Sequence, residues 1–416
     1  MHARRHVSML SLHYPPELTG NAPYVGALAT GLSHCGLEVD AHVGHPHYPE
    51  WRVRPGYGQW TSTETSNGVR VTRRRHYVPR PPRGIRRLAS ELSFGVRLIG
   101  ARWGSPDLVL ALSPALFSTA IATLRVRLGW RRPPIIVWVQ DLYSLGIDET
   151  GEGNRIVAHV TRWVESRTLR AADRVVVIHP RFAEFVTGEL GVDPARVTVI
   201  RNWTHLPAHP VLDGATSRSA LGWPSDLTVA VHTGNMGAKQ GLENLVDAAV
   251  LADAIDAPVQ FILVGDGGER AALQIRAAGV KHITFVDPLD EDDYHRALAA
   301  ADVLLVNEKT GVSSMAVPSK LTSYFDAARP IIAATDPGGT TASEIDASGA
   351  GIVVAAGDPA ALLRAVMGLR GDSATSQLLG GRGRLYRERV LDARSAIEAF
   401  RNLIDSTLEN RRLPTH

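Results

Sequence analysis

Lys239 sits in a stretch whose residue types and spacing suit the holding of an anion, Thr228–Ala249, TVAVHTGNMGAKQGLENLVDAA. Val229–His232 is a short apolar, β-branched run and reads as a buried parallel strand. Thr233-Gly234-Asn235-Met236-Gly237 is a turn built from small residues. Beyond Gly241 the apolar positions Leu242, Leu245, Val246 and Ala249 recur at helical spacing. Strand, glycine turn and helix together aim free backbone N–H groups at one point, and the Lys239 ammonium adds a positive charge there. The spacing matches neither G-x-G-x-x-G nor G-x-x-x-x-G-K-[ST], so it signals neither a dinucleotide fingerprint nor a Walker loop. Two readings stay open at this point: a phosphate cradle, and a plain βα turn of the kind every doubly wound sheet contains.

A second small-residue loop follows the first strand. Val7–Leu12 is apolar, Tyr14-Pro15-Pro16 ends it, and Thr19-Gly20-Asn21 makes a tight turn before a helix with Val25, Leu28, Ala29 and Leu32 on one face. Loops at strand ends are where open α/β sheets bind ligands. His42, His45 and His47 cluster at the end of the next strand, Leu37–Val43. They form a polar edge rather than a metal site, for want of any further ligand signal. Asp290-Glu291-Asp292-Asp293 opens a helix, so capping and the helix dipole explain it better than metal binding.

The elements that position these residues alternate. Leu108–Leu112, Ile135–Val139, Arg174–Ile178 and Val197–Ile200 read as further buried strands, separated by helices such as 158–169. Leu108–Leu124 is the most apolar stretch, but Pro114 and its length make it strand, turn and helix rather than a membrane span. Residues 207–219 lose periodicity and read as a linker. The pattern then restarts with strands at 229–232, 260–264 (ending in Gly265-Asp266-Gly267-Gly268), 284–286, 303–306, 331–334 and 352–354. Residues 394–408 form an amphipathic helix with Ile397, Phe400, Leu403 and Ile404 on one stripe. The expected division is therefore 1–206, 207–390 and a C-terminal helical segment, 391–416, packing back on the first domain. A chain of 416 residues is too long for one ordinary core.

Composition narrows the function classes. Cys35 is the sole cysteine, which excludes an internal disulfide and cysteine-based zinc, and fits a reducing, cytoplasmic compartment. The net charge of +3 hides an asymmetry: residues 1–205 carry 26 arginines against 16 acidic residues, and the remainder carries 19 basic against 26 acidic. The excess peaks between Arg70 and Arg102, where only Glu91 opposes a run of arginines. That segment is expected either to be a solvated face or to rest on an anionic membrane surface. Nucleic acid is not expected, because aromatics are not interleaved with the arginines.

Seven blocks, in order, carry a family resemblance: HYPPELTGNAPYVGALATGL, GHPHYPEW, VWVQDLY, RNW, HTGNMGAKQGLENLVDAA, LVGDGGER and VPSKLTSYFDAARPII. Together they resemble the group 1 (family 4) retaining glycosyltransferases, and within them the branch of colanic-acid and O-antigen N-acetyl-fucosamine-type transferases. The resemblance spans about His6 to Gly357. It implies an α/β fold of GT-B type, two Rossmann-like doubly wound parallel-sheet domains facing a central cleft. It also implies transfer of a sugar, an N-acetylated deoxyhexose in that branch, from a UDP-type donor to a lipid-linked or other glycan acceptor. Neither a cofactor nor a metal is expected.

The resemblance assigns roles. Lys239 and Lys320 would face the departing diphosphate, with Gly234, Asn235, Val317, Pro318, Ser319 and Leu321 around it and Gly20 and Asn21 reaching it from the first domain. Gly265, Asp266 and Gly267 would line the base pocket, and Asp141 would contact a donor or acceptor hydroxyl. The chain departs from the family in three places. The Glu-x7-Glu pair falls on Met315 and Ser323, Asn235 stands where a basic residue is common, and a histidine usual on the strand carrying Asp141 is absent. Two other classes compete: a nucleotide-sugar-binding protein without turnover, and a Rossmann-type oxidoreductase or epimerase. Against the latter, the chain lacks both the dinucleotide fingerprint and a Tyr-x-x-x-Lys pair.

Overall fold

The computed structural model describes residues 4–17, 20–80, 84–150, 155–203, 212–311 and 320–411. The chain divides into two units, 1–205 with 393–416, and 206–392. Each is described by itself.

The first unit is built on an eight-stranded sheet. Its strands are β1 (His6–Ser11), β2 (Glu38–Gly44), β3 (Thr61–Ser66), β4 (Val69–Arg74), β5 (Leu108–Ser113), β6 (Ile135–Val139), β7 (Arg174–Val177) and β8 (Val197–Val199). They lie in the order β3-β4-β2-β1-β5-β6-β7-β8. All pairs are parallel except β3 with β4. β1, β5 and β6 are buried along their whole length, because helices cover both faces. Those helices are α1 (Ala22–His34), α2 (Ile85–Ile99), α3 (Leu116–Leu128), α4 (Tyr143–Thr150), α5 (Arg155–Ala171) and α6 (Pro180–Gly188).

Hairpin β3–β4 escapes the sequence reading and takes two arginines of the basic segment, Arg73 and Arg74, out of solvent. Arg73 and Arg74 are only 4% and 7% exposed. Arg73 pairs with Glu64 at 2.9 Å and donates to the Pro15 carbonyl at 2.7 Å. Arg74 meets His42 Nδ1 at 3.1 Å, and Arg70 grips Asp40 through two bonds of 2.8 and 2.6 Å. All three hold strands together; Arg73 and Arg74 are withdrawn from solvent, while Arg70 stays half exposed beside Asp40.

The second unit opens with α7 (Gly214–Leu221), so the expected linker is partly helical; Asp213 caps it by accepting from Thr216 N at 2.7 Å. Then follow β9 (Thr228–Thr233), α8 (Glu243–Ala254), β10 (Val259–Val264), α9 (Arg270–Arg276), β11 (Ile283–Val286), α10 (Glu291–Ala300), β12 (Val303–Asn307), α11 (Lys320–Asp326), β13 (Ile331–Ala334), α12 (Thr340–Ser348), β14 (Gly351–Val354), α13 (Pro359–Gly371) and α14 (Ser373–Arg389). The six strands are parallel in the order β11-β10-β9-β12-β13-β14. This is the doubly wound order that reverses beside its first strand, so the ligand crevice lies at the carboxyl ends of β9 and β12. Asp290 caps α10 as expected, accepting from Asp293 N at 2.9 Å.

The last helix, α15 (Ala393–Asn410), returns to the first unit. Phe400 is fully buried and meets the Trp138 ring edge-on at 4.9 Å. Gly31 on α1 leaves room for Ile397; a Cβ there would sit 2.5 Å from that side chain.

Candidate active site

In the second unit the two glycine turns interlock. Gly265 has φ +137°, and a Cβ on it would lie 2.0 Å from the Gly234 carbonyl oxygen. A Cβ on Gly267 would meet the Met236 carbonyl at 2.5 Å and Asn235 Oδ1 at 2.7 Å. Backbone bonds tie the turns together: Gly234 N donates to Val264 O at 2.8 Å, and Met236 N donates to Asp266 O at 2.8 Å. Met236 is fully buried and anchors the loop to the core. The residues expected at the phosphate (Gly234, Asn235) and at the base (Gly265, Asp266, Gly267) therefore share one edge of the sheet. Asp266 spends one oxygen on its own turn, accepting from Gly267 N at 2.8 Å.

Lys320 reaches the same edge. Its Nζ donates to His232 Nε2 at 3.2 Å, and a Cβ on Gly234 would lie 3.7 Å from that nitrogen. His232 is wholly buried; its Nδ1 bonds the Leu305 carbonyl at 3.2 Å, which leaves Nε2 as the acceptor. Burial and the Lys320 charge push His232 well below its ordinary pKa, so it stays neutral. Loss of solvent likewise lowers the Lys320 ammonium to about 7, against the pull of Glu308. The amides of Gly234, Met236, Gly237, Gly265 and Gly267 already have protein acceptors, so the group at this edge ready for an anion is the Lys320 ammonium, which lacks a full counter-charge.

Lys239 lies exposed in the later part of the turn. Its carbonyl accepts from Lys309 N at 2.9 Å, and Asn307 Nδ2 donates to the Gln240 and Gly241 carbonyls at 2.7 and 2.9 Å. Val317, Pro318 and Ser319 lie outside the described residues. The Leu321 side chain is core, at 1% exposed, so the expectation of a diphosphate ligand there is corrected for its side chain.

Glu308 escapes the sequence reading. It follows β12 at the switch point, accepts from the hydroxyls of Thr335 and Thr341, and opposes Lys320 electrostatically. A search tied to a seven-residue spacing passes over it; its place at a strand end was the available signal.

In the first unit the carboxyl edge holds Gly20, Asn21 and Asp141, and a histidine cluster built on Glu17. Glu17 Oε1 accepts from His47 N at 2.7 Å and Tyr48 N at 2.9 Å, and Oε2 meets His13 Nδ1 at 2.8 Å. Burial by itself would raise the Glu17 carboxyl, but His13 and His47 outweigh that and hold it below its ordinary value. Burial lowers His47 to about 4 and His76 to about 3. Gly20, at φ +66°, packs near the Tyr48 ring, and Asn21 heads α1 without using its side chain as a cap. Asp141 follows β6, two residues before Tyr143, whose hydroxyl donates to Glu91 at 2.6 Å.

Among the described residues, two clusters have metal-like spacing: His13, Glu17 and His47, and His6, Glu38 and Asp40. They are not the trio His42, His45 and His47 read from the sequence. The Glu17 carboxylate already serves two amides and an imidazole, and Asp40 is gripped by Arg70 and His6. The buried carboxylate of each cluster is thus already committed, and Glu38 is an exposed side chain 3.7 Å from Arg70.

Two Rossmann-type sheets, one with interlocked glycine turns over a lysine, are the parts of a GT-B glycosyltransferase, and comparison with known proteins agrees. Residues 19–203 match the glycosyl transferase 4-like domain, and residues 228–372 match the glycosyl transferases group 1 domain. WbjE of Pseudomonas aeruginosa, described as a probable glycosyltransferase, is 30% identical over 68% of this chain and 71% of its own length. The WcaI protein of Escherichia coli (strain K12), assigned to colanic acid biosynthesis as a glycosyl transferase, is 29% identical over 77% of this chain and 80% of its own. Among solved structures, sucrose-phosphate synthase of Thermosynechococcus elongatus shares the fold with a TM-score of 0.77 at 18% identity, over 98% of this chain and all of that one. HepE of Anabaena in complex with UDP gives 0.71 at 13% identity, over 96% of this chain and 100% of its own. The chain belongs to the group 1 glycosyltransferases. Among the described residues no helix is long and apolar enough to cross a membrane.

Proposed function

We propose that the protein transfers a sugar from a nucleoside diphosphate to a glycan or lipid-linked acceptor in cell-surface polysaccharide or glycoconjugate synthesis, keeping the anomeric configuration. The observation that carries the donor half is the Lys320 ammonium lying against the Gly234 turn and held by neutral His232. The bond from the sugar C1 to the phosphate oxygen breaks, the acceptor oxygen bonds C1, and the acceptor proton ends on the departing diphosphate. Developing charge on that diphosphate is met by Lys320 and Lys239. HepE has been solved with UDP and with UDP-glucose, which supports a uridine donor here. The WcaI resemblance supports polysaccharide synthesis, and an N-acetylated deoxyhexose is proposed from the resemblance of the seven sequence blocks alone. No cofactor or metal enters this scheme.

The acceptor half rests on His13. Glu17 takes its Nδ1–H, which leaves Nε2 as an acceptor for a hydroxyl of the incoming glycan, and Asp141 stands on the same edge of the sheet. The protein, incubated with a panel of nucleotide sugars, is expected to release the nucleotide and to yield a product whose anomeric coupling matches that of the donor. Lys320→Ala and Lys239→Ala each abolish hydrolysis and transfer while the fold persists. His13→Asn loses transfer but keeps donor hydrolysis. Calorimetric UDP binding with no turnover of any donor would overturn the assignment in favour of a binding protein.

A further inference from the structure

We infer that the outward faces of α2, α3 and α5 form a docking surface for an anionic lipid bilayer. The three helices lie side by side, α3 packed between α2 and α5. Each carries an apolar row turned to solvent. On α2 the row is Ile85, Leu92, Val96 and Ile99, at one face of the helical repeat. Leu124 and Leu128 continue it on α3, and Trp130, in the turn that follows, is fully exposed. Ile156, Val160 and Trp163 repeat it on α5 at four- and three-residue steps. Single exposed apolar residues are ordinary; parallel rows on three neighbouring helices are not.

The charge on these helices commits the occupant. Their only acidic residues are Glu91 and Glu165, and both point inward, 3% and 2% exposed. Glu91 accepts from Tyr143 and from Phe117 N at 3.1 Å, and Glu165 accepts from Tyr143 N and Ser144 N at 2.8 and 3.0 Å. Burial raises both carboxyls as well. The exposed charges are arginines: Arg86 on α2, Arg131 and Arg132 after α3, and Arg155, Arg167 and Arg170 on α5. Three helices with apolar rows, tryptophans and arginines, exposing no acid of their own among the described residues, are what sits in the headgroup layer of an anionic membrane; Glu189, from outside them, is paired with Arg162 of α5. A nucleic acid would find the arginines but leave the apolar rows in water. Arg73 and Arg74 do not join this surface, because their side chains are spent inside the sheet edge. It needs no helix that crosses the bilayer.

The test uses the full chain and vesicles, with neither donor nor acceptor, so its outcome is independent of the proposed reaction. Co-sedimentation is measured with phosphatidylethanolamine/phosphatidylglycerol vesicles and with phosphatidylcholine vesicles. Preferential binding to the first is expected, weakened about fivefold by each of Arg131→Ala and Arg132→Ala. The triple variant Val96→Ser, Trp130→Ser, Trp163→Ser is expected to lose binding tenfold or more with unchanged circular dichroism. Ile275→Ser, an exposed apolar site in the second unit, leaves binding intact. Equal binding of both lipids, or of wild type and triple variant, overturns the inference. So does a dimer that the triple variant dissociates, which would make the face a contact between copies.

Discussion

Lys320 offers a prediction with a sign. In the free protein, loss of solvent holds its pKa at about 7, down from 10.5. Below pH 7 the side chain is an ammonium; above it, a neutral amine. A donor diphosphate binds the charged form. Apparent affinity is therefore full on the acid side of 7 and falls about tenfold per pH unit above it, because the proton must be put back first. At pH 8 about nine-tenths of the lysine is neutral, so each binding event takes up nearly one proton. UDP-glucose is the right probe, since its phosphates do not titrate in this range. Calorimetry at pH 8 in buffers of different ionisation enthalpy reads the proton uptake directly. Lys320→Arg, charged at every working pH, is expected to flatten the profile. Lys320→Met is expected to weaken binding by about 1.5–3 kcal/mol, the worth of a hydrogen bond to a charged group. Free of the cost of the confined ammonium, the Met variant melts no lower than wild type by more than the unpaired His232 Nε2 costs, about 1–3 kcal/mol. Wild-type affinity that is constant from pH 6.5 to about 8.5, or undiminished in Lys320→Met, would falsify the placement of phosphate at Lys320.

Three further outcomes are expected. Gly265→Ala places a methyl 2.0 Å from the Gly234 oxygen at a left-handed φ, so the interlocked turns separate; nucleotide binding is lost and stability drops by about 1–3 kcal/mol or more, read by denaturant melts with and without UDP. Phe400→Ala empties the pocket against Trp138 and costs about 3–5 kcal/mol, seen as an earlier transition for the first unit. His47 and His76 stay neutral in the fold down to about 4 and 3, whereas both take protons near 6.5 when unfolded. Their contribution is thus complete above about pH 7.5 and is lost as pH falls towards 4, with a slope of up to about 1.4 kcal/mol per unit for each; urea midpoints from pH 7.5 to about 4.5 check this, and His76→Asn shallows the slope.

The buried strands were legible because helices on both faces make each a continuous apolar run, as in Leu108–Ser113 and Val259–Val264. Hairpin β3–β4 was not, because β3 reads Thr-Ser-Thr-Glu-Thr-Ser and buries nothing. The arginines of β4 looked like surface charge because Asp40 and Glu64, which neutralise them, come from other strands. In the site, the glycine turns announced themselves locally as strand, turn and helix. Long-range pairs did not: Lys320 and His232 are 88 residues apart, and Glu17 and His47 are 30. A pairing set by the fold leaves no periodic trace in the chain.

Helix α15 gives synthesis an order. The unit of residues 206–392 is continuous in the chain, so it can close as soon as its last strand and helices leave the ribosome. The unit that begins the chain cannot, because Phe400 and Ile404 of its core are made some two hundred residues after its last strand. The first domain to be translated is thus the last to be sealed. Until then Trp138 and the small-residue face of α1 stand open, a window in which a chaperone or a neighbouring nascent chain competes with the protein's own C-terminal helix.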